Sequence, residues 1–320
     1  MKKRVFIAGH KGMVGSAVLR KLKKSSDLEV ITKDKEDCNL INQGDVDNFF
    51  RKTKIDLVIL AAAKVGGISA NSKYPADFIY ENLMIESNII NAAFNNDIEK
   101  VIFLGSSCIY PKLSSQPIKE EYLLTDALEP TNEAYAIAKI AGIKLCESFN
   151  EQYGTDFRSL MPTNLYGQFD NFNLENSHVI PGLIRKFHDA KVCKKKYVEV
   201  WGSGSPLREF LHVDDLADAI IFVNKISKEK YQEACGPSGN HLNVGSGTDI
   251  SIRDLAKMIS DVINFKGEIV YDKSMPDGTP RKLLDCTKIN KLGWNPLIGL
   301  HEGLNVTYSW FLENEGNFRS

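Results

Sequence analysis

Tyr135 and Lys139 lie four residues apart in a run, 132–153, whose apolar spacing predicts a helix. On a helix the two share one face, one turn apart. A phenol ionises at a pH of about 10, and a neighbouring ammonium favours the phenolate. The pair suits proton transfer to or from an oxygen that alternates between alcohol and carbonyl. An amphipathic helix with a snorkelling lysine has the same spacing, so the rest of the chain must decide between the two.

The elements that must hold this pair are legible in order. Arg4 to Ala8 is a β-branched and aromatic run and predicts a strand. Gly9-His10-Lys11-Gly12-Met13-Val14-Gly15 follows, then a helical run from Ser16 to Lys24. Glycines at that spacing let a backbone turn tightly against a pyrophosphate at a helix N-terminus. A second strand, 28–32, ends in Lys33-Asp34-Lys35-Glu36-Asp37, where an adenosine ribose would lie. Asp34 there suits a free ribose 2′-hydroxyl, as in NAD. Lys35, helped by Lys11, suits a 2′-phosphate, as in NADP. Both remain open on these residues alone.

A strand over 56–63 ends in three alanines, including Ala62, small enough to leave room for a ligand. Pro75 to Asn95 predicts a helix on which Asn82 and Glu86 are expected at ordinary surface positions. Lys100 to Leu104 predicts a strand leaving through Gly105-Ser106-Ser107-Cys108, and 156–162 another leaving through Pro162-Thr163-Asn164-Leu165. Alternating strands and helices predict an α/β fold: a doubly wound parallel (Rossmann) sheet, with a smaller, interleaved C-terminal α/β lobe. Ligands bind beyond the carboxyl ends of such strands, where all these motifs fall. The expected division assigns 1–165 plus about 211–240 to the dinucleotide-binding domain, and about 166–210 plus 241–320 to the second lobe. The aspartates of Val213-Asp214-Asp215 are expected to cap a helix.

Composition narrows the function classes. Forty basic side chains face 41 acidic ones among 320 residues, so no global field draws the chain to nucleic acid or an anionic membrane. No stretch approaches the roughly 20 apolar residues of a membrane span. After the basic start, the apolar run Val5–Ala8 is too short for a signal peptide. Six scattered cysteines without a C-x-x-C predict free thiols, a cytoplasmic location and no metal site.

Gly9/Gly12/Gly15, the Ser106 loop, Tyr135/Lys139, the Asn164 loop and Arg208-Glu209-Phe210 with Val213-Asp214-Asp215 together resemble the extended short-chain dehydrogenase/reductase family, in its nucleotide-sugar branch. More specific likenesses within that branch are Gly105–Lys112, Asn176-Ser177-His178-Val179-Ile180-Pro181 and Pro276-Asp277-Gly278-Thr279-Pro280-Arg281-Lys282. The resemblance implies NADPH as cofactor. It would be held by Gly9, His10, Lys11, Gly12, Met13, Val14 and Gly15, with Lys35, Ala62, Leu104, Gly105, Lys139, Pro162, Asn164, Leu165 and His178. It implies a GDP-sugar substrate with a ketone at C4, met by Ser107, Lys186, Trp201, Arg208, Asp277 and Arg281.

The implied chemistry has two stages. Cys108 as base and His178 as acid would invert C3 and C5, whose protons the ketone acidifies. Tyr135, its pKa depressed by Lys139, would then protonate the C4 oxygen as hydride arrives, with Ser106 hydrogen-bonded to that oxygen in both stages. The resemblance also implies a homodimer built on the two long helices. The alternatives are a 4-epimerase, a 4,6-dehydratase and a non-catalytic NADP-binding regulator. A dehydratase of this branch carries an Asp-Glu pair where this chain has Ser107-Cys108, and a non-catalytic relative commonly lacks the tyrosine or lysine.

Overall fold

β1 (Lys3–Ala8) passes through the glycine turn into α1 (Met13–Leu22), and the alternation continues with β2 (Leu28–Ile31), α2 (Gln43–Lys52), β3 (Leu57–Leu60), α3 (Ile68–Lys73), α4 (Pro75–Asn95), β4 (Lys100–Leu104), α5 (Glu133–Tyr153) and β5 (Asp156–Pro162). This computed structural model describes residues 2–174, 177–236, 239–275 and 277–315, with the backbone alone at Ile68 and Ser69. Asn176 and Pro276, each part of a stretch quoted above, lie outside the described residues. The chain continues through β6 (Asn164–Tyr166), α6 (Val179–Val192), β7 (Tyr197–Trp201), β8 (Leu207–His212), α7 (Val213–Lys225), α8 (Lys228–Cys235), β9 (His241–Val244), β10 (Asp249–Ser251), α9 (Ile252–Ile263), β11 (Glu268–Asp272), β12 (Arg281–Lys282), α10 (Thr287–Lys291) and α11 (Leu300–Glu313).

Six strands form one parallel sheet in the order β2-β1-β3-β4-β5-β9. Its central strands are buried along nearly their whole length, as a sheet covered on both faces requires. The order reverses across β1 and β3, which places a crevice at the carboxyl ends of those strands. The smaller lobe has a mixed sheet of β10-β8-β12 with β6 beside β8, and a separate parallel pair, β7 and β11.

One buried apolar cluster lies at the large sheet and a second lies in the smaller lobe. They correct the expected boundaries. β9, assigned above to the second lobe, is the sixth strand of the large sheet, pairing Leu242 with Leu160. Leu284, Cys286, Ile289 and Trp294 also pack into the first cluster, so the chain returns to the large sheet after β12. A short apolar run cannot reveal which sheet will receive it, and this one goes where an unpaired strand edge is available.

Two helix starts also differ from expectation. α1 begins at Met13, three residues early, because Gly12 caps it in an extended conformation and Gly15 falls inside the first turn. α7 is capped by the ring of His212, which accepts from the Asp214 amide, while both Asp215 oxygens accept from the amides of Leu297 and Ile298. Asp214 binds Arg20 on α1 at 2.7 Å. The two aspartates therefore serve the fold. Among the described residues no helix is long and apolar enough to cross a membrane, and no cluster of side chains could hold a metal ion. All six cysteines are free.

Candidate active site

The glycine turn is built against the exit of β3. Gly9 has φ +85°, and a Cβ there would come within 2.7 Å of the Ala62 backbone. A Cβ at Gly15 would collide with the backbone of Gly9 itself. Side chains at either position would fill the space in which backbone amides can approach a pyrophosphate. The first turn of α1 carries no acidic residue, so nothing there repels an anion. The turn thus fits a dinucleotide by shape and by dipole.

Beyond β2, Asp34 faces the turn. Its Oδ1 lies 2.7 Å from Lys11 Nζ and 3.3 Å from His10 Nε2. The Lys11 bond holds the Asp34 carboxyl below the usual carboxylate range. Lys35 is exposed one residue further on. The two opposing sequence signals are therefore in contact, with Asp34 partly neutralising the lysine that would meet a 2′-phosphate.

Asn82 and Glu86, expected at the surface, are both interior, at 0% and 1% exposure. Asn82 holds the loop after β3, accepting from Lys64 N and donating to Lys64 O, each at 3.0 Å. Glu86 meets Lys139, 2% exposed, with 2.7 Å between Oε1 and Nζ. That is an ion-pair distance, and among the described residues no other group bonds either carboxylate oxygen. Lys139 Nζ also sits 4.9 Å above the Phe103 ring and 5.9 Å from the Tyr135 ring centre. The α4 pattern held the signal: Asn82, Ile85, Glu86, Ile89, Ile90 and Ala93 form one buried stripe.

This pairing overturns one expectation. Tyr135 is raised above the ordinary phenol value, not depressed. Burial is the main cause, Cys108 and Glu86 add to it, and the Ser106 hydroxyl alone opposes it. The Glu86 carboxylate, 2.7 Å from the Lys139 ammonium, works against the phenolate.

Ser106, Cys108 and Tyr135 do come together where β4 ends. Ser106 Oγ accepts from the Cys108 amide at 3.3 Å and caps a short 3-10 turn, Ser107–Ile109. Ser107 is buried within that turn, and Leu104 and Gly105 are buried below it. Lys282, from β12, reaches over so that its Nζ lies 3.6 Å from Cys108 Sγ. Sequence reading missed Lys282, because only the pairing of β12 with β8 brings it to the loop after β4.

The remaining candidates divide. Pro162 closes β5, and Asn164 commits its side-chain amide to Glu209 O at 2.8 Å, beside a partly buried Leu165. His178 caps α6 from a cleft: its surface is open, yet the surrounding protein disfavours the charged ring and lowers its pKa. Among the described residues its ring makes no hydrogen bond. Lys186 Nζ rests 4.7 Å from the centre of the Trp201 ring, which is 57% exposed, and burial lowers the lysine's pKa. Arg208, also lowered by burial, lies beside Gly278, where a Cβ would come within 2.8 Å of Nη2.

Asp277 is held by Ser203 through two bonds of 2.9 and 2.6 Å. Arg281 is committed to Asp249 at 2.5 Å, so the guanidinium expected to meet a ligand is already paired. A concavity of about 580 Å³ lined by Asp97, Lys100, Asp156 and Lys228 sits at the amino ends of β4 and β5, opposite all these residues. By the strand-end rule a ligand is expected at the carboxyl ends, opposite this concavity.

The family model described as the NAD dependent epimerase/dehydratase family matches residues 5–245. The chain belongs to this family. Within it, the chain is 59% identical to GDP-L-fucose synthase of Escherichia coli (strain K12), over 99% of each chain. It is similar to the crystal structure of a GDP-6-OMe-4-keto-L-xylo-heptose reductase from C. jejuni, at TM-score 0.93, 38% identity and coverage of 98% and 99%. A GDP-L-fucose synthetase from Naegleria fowleri bound to NADP gives TM-score 0.89 at 28% identity, with coverage of 100% and 97%. The family assignment agrees with the parallel sheet and the glycine turn.

The Lys282 contact makes a measurable difference. Lys282→Met, which removes the donor 3.6 Å from the Cys108 sulfur, should change the rate at which iodoacetamide alkylates Cys108. Mass spectrometry of the Cys108 peptide reads the rate, and an unchanged rate removes the interaction.

Proposed function

We propose that this chain takes GDP-4-keto-6-deoxy-D-mannose, inverts C3 and C5, and reduces C4 with NADPH to give GDP-L-fucose. The observation that carries this reading is the meeting of Cys108, with Lys282 at its sulfur, and Tyr135 at one strand end. A ketone reductase needs the tyrosine, whereas a second proton-transfer group beside it suits inversion at carbons next to the ketone. The name of the 59% identical E. coli relative supports the same product.

In this reading Cys108 removes the proton from C3 or C5, with the Lys282 ammonium 3.6 Å from its sulfur. Ser106 donates to the C4 oxygen as charge moves onto it. His178 returns a proton from the other side. Tyr135 then gives its proton to the C4 oxygen, and Ser106 holds that oxygen a second time. The glycine turn, Ala62, Lys139, Asn164 and Lys11 would hold NADPH, which supplies the hydride. Arg208 and Lys186 would meet the diphosphate, Arg208 with two parallel donors. The exposed Trp201 offers a face for the base or sugar. The exposed Tyr80, Ile137 and Tyr153 on α4 and α5 suit a homodimer through that helix pair. Six free thiols and balanced charge suit the cytoplasm.

Incubation with GDP-4-keto-6-deoxy-D-mannose and NADPH, read by NMR, should give a product inverted at C3 and C5, and Tyr135→Phe should lower turnover by about 10²–10⁴-fold. A product reduced at C4 without inversion would sink the reading. Cys108→Ser should slow solvent deuterium uptake at C3 and C5 by a similar factor while ketone reduction persists; uptake at the wild-type rate excludes Cys108 as the base. Asp34→Asn should release Lys11 and tighten NADPH relative to NADH by up to about fivefold, the range of an exposed ion pair. Titration of cofactor fluorescence measures this, and an unchanged ratio removes Asp34 from cofactor choice.

A further inference from the structure

We propose that Cys108 and Lys282 form a reversible redox cross-link, a direct sulfur–nitrogen (sulfenamide) bond, when the protein meets a peroxide. The bond joins the loop after β4 to β12. Its effect on turnover rests on the reading of Cys108 as base; its formation does not.

The six cysteines differ in their surroundings. Cys38, Cys146, Cys235 and Cys286 are at most 4% exposed and packed among apolar side chains, out of reach of a water-borne oxidant. Cys193 is exposed at the end of α6. Cys108 is half-buried at the strand end and has an amine at its sulfur, with Lys282 Nζ 3.6 Å from Sγ. Among the described residues no carboxylate pairs with that nitrogen, whereas the adjacent Arg281 is taken by Asp249.

Backbone bonds hold both partners in place. β12 lies in parallel register with β8, Lys282 opposite Arg208. On its other side Leu283 N donates to Gln116 Oε1 at 2.8 Å, Ile118 N donates to Leu283 O at 2.7 Å, and Asp285 N donates to Ile118 O at 2.8 Å. The strand carrying the lysine is thus clamped between β8 and the segment 116–118, which follows Cys108 in the same connection. The Cys108 turn is fixed as well. Its amide donates to Ser106 Oγ at 3.3 Å, and the Ile109 amide donates to Ser106 O at 3.2 Å. Only the flexible lysine stem has to move for nitrogen to reach sulfur.

A cysteine oxidised to sulfenic acid condenses with a nearby thiol or with a backbone nitrogen. Among the described residues no disulfide or thiol contact engages Cys108. The nitrogen of the next residue, Ile109, already donates within the turn. The Lys282 amine is the nucleophile at hand. In the first step the thiol takes one oxygen from hydrogen peroxide, giving sulfenic acid and water. Lys282 then loses its ammonium proton to solvent, and the nitrogen lone pair attacks sulfur. The S–O bond breaks, and the departing hydroxide takes a proton from nitrogen to leave as water. Sulfur is oxidised, peroxide is reduced, and the linked pair has two hydrogen atoms fewer than the free one. A thiol reverses the link: it attacks sulfur, frees the amine and leaves a mixed disulfide, which a second thiol reduces. While the link stands, Cys108 has no thiol with which to take a proton.

The test treats the purified protein with hydrogen peroxide in the absence of substrate, then digests it under non-reducing conditions for mass spectrometry. The wild type should give a peptide pair joining Cys108 to Lys282, two hydrogen atoms lighter than the sum of the free peptides and lost on adding dithiothreitol. Lys282→Arg keeps a cation, but its guanidinium stays protonated and does not attack. It should give no linked pair, and dimedone should capture its Cys108 as the sulfenic acid. Lys282→Met should behave likewise, which keeps the comparison if either variant fails to fold. A wild-type digest in which Lys282 stays free, a ring closed on the Ile109 nitrogen, or dimedone capture equal in wild type and Lys282→Arg would each overturn the proposal. The masses need no turnover, so a wrong assignment of the overall reaction shows as an absent product with the cross-link still formed.

Discussion

A carboxylate and an ammonium, both out of water, face each other between two helices. The Glu86–Lys139 pair ties α4 to α5 with each partner at most 2% exposed. Removing one member of a buried pair typically costs about 3–5 kcal/mol, because the other charge is stranded. The helices therefore cannot slide or rotate against each other without separating it. Gly142 and Phe103 shape the slot that receives the carboxylate. Tyr135, one turn before Lys139, is thereby placed at the mouth of the loop leaving β4. Its ring edge also meets Phe78 on α4 at 6.4 Å.

A second set of buried bonds carries the smaller lobe. Asn164 grips the β8 backbone at Glu209 O, and the Glu209 carboxylate draws in the loops at Gly247 and Leu284. β12 is thus set beside β8, which brings Lys282 to Cys108 and leaves Arg208 on the same strand as Glu209. Residues far apart in sequence reach one cleft because a few interior polar groups bond the backbone of distant segments, Asn164 donating to a carbonyl and Glu209 accepting from amides. Two of the proposed ligand-facing groups differ: the Trp201 indole is open, and His178 is open within a crowded cleft.

Electrostatics at the cleft shows one device used twice. A cation near a reactive group is held by an anion: Lys139 by Glu86, and Lys11 by Asp34. At Lys139 the pairing is buried and stiff. At Lys11 it is solvent-screened and readily exchanged, so the same charge arrangement fixes geometry in one place and leaves a choice open in the other. Cys108 is the contrasting case, with Lys282 close to its sulfur.

Five of the six strands of the large sheet were readable, because strands covered on both faces are continuous apolar runs and their helices repeat every 3.6 residues. The glycine turn, the Tyr135–Lys139 spacing and the Ser106–Cys108 loop were readable for the same reason: each is a local arrangement whose geometry follows from neighbours in the chain. The family resemblance was legible in those same stretches. Whether β9 joins the first sheet, whether Lys282 reaches a sulfur and whether Arg281 is already paired depend on contacts between segments distant in sequence. Glu86 is the sharpest instance. Its place on the apolar stripe of α4 was visible in the spacing, but its charge suggested solvent, and only packing against α5 supplies the cation that lets a carboxylate lie inside. The amino-acid order by itself determined the local elements and which side chains could be candidates for chemistry. Their ionisation and their partners were decided by the tertiary structure, because burial and charge at a distance belong to the folded chain and not to any one stretch of it.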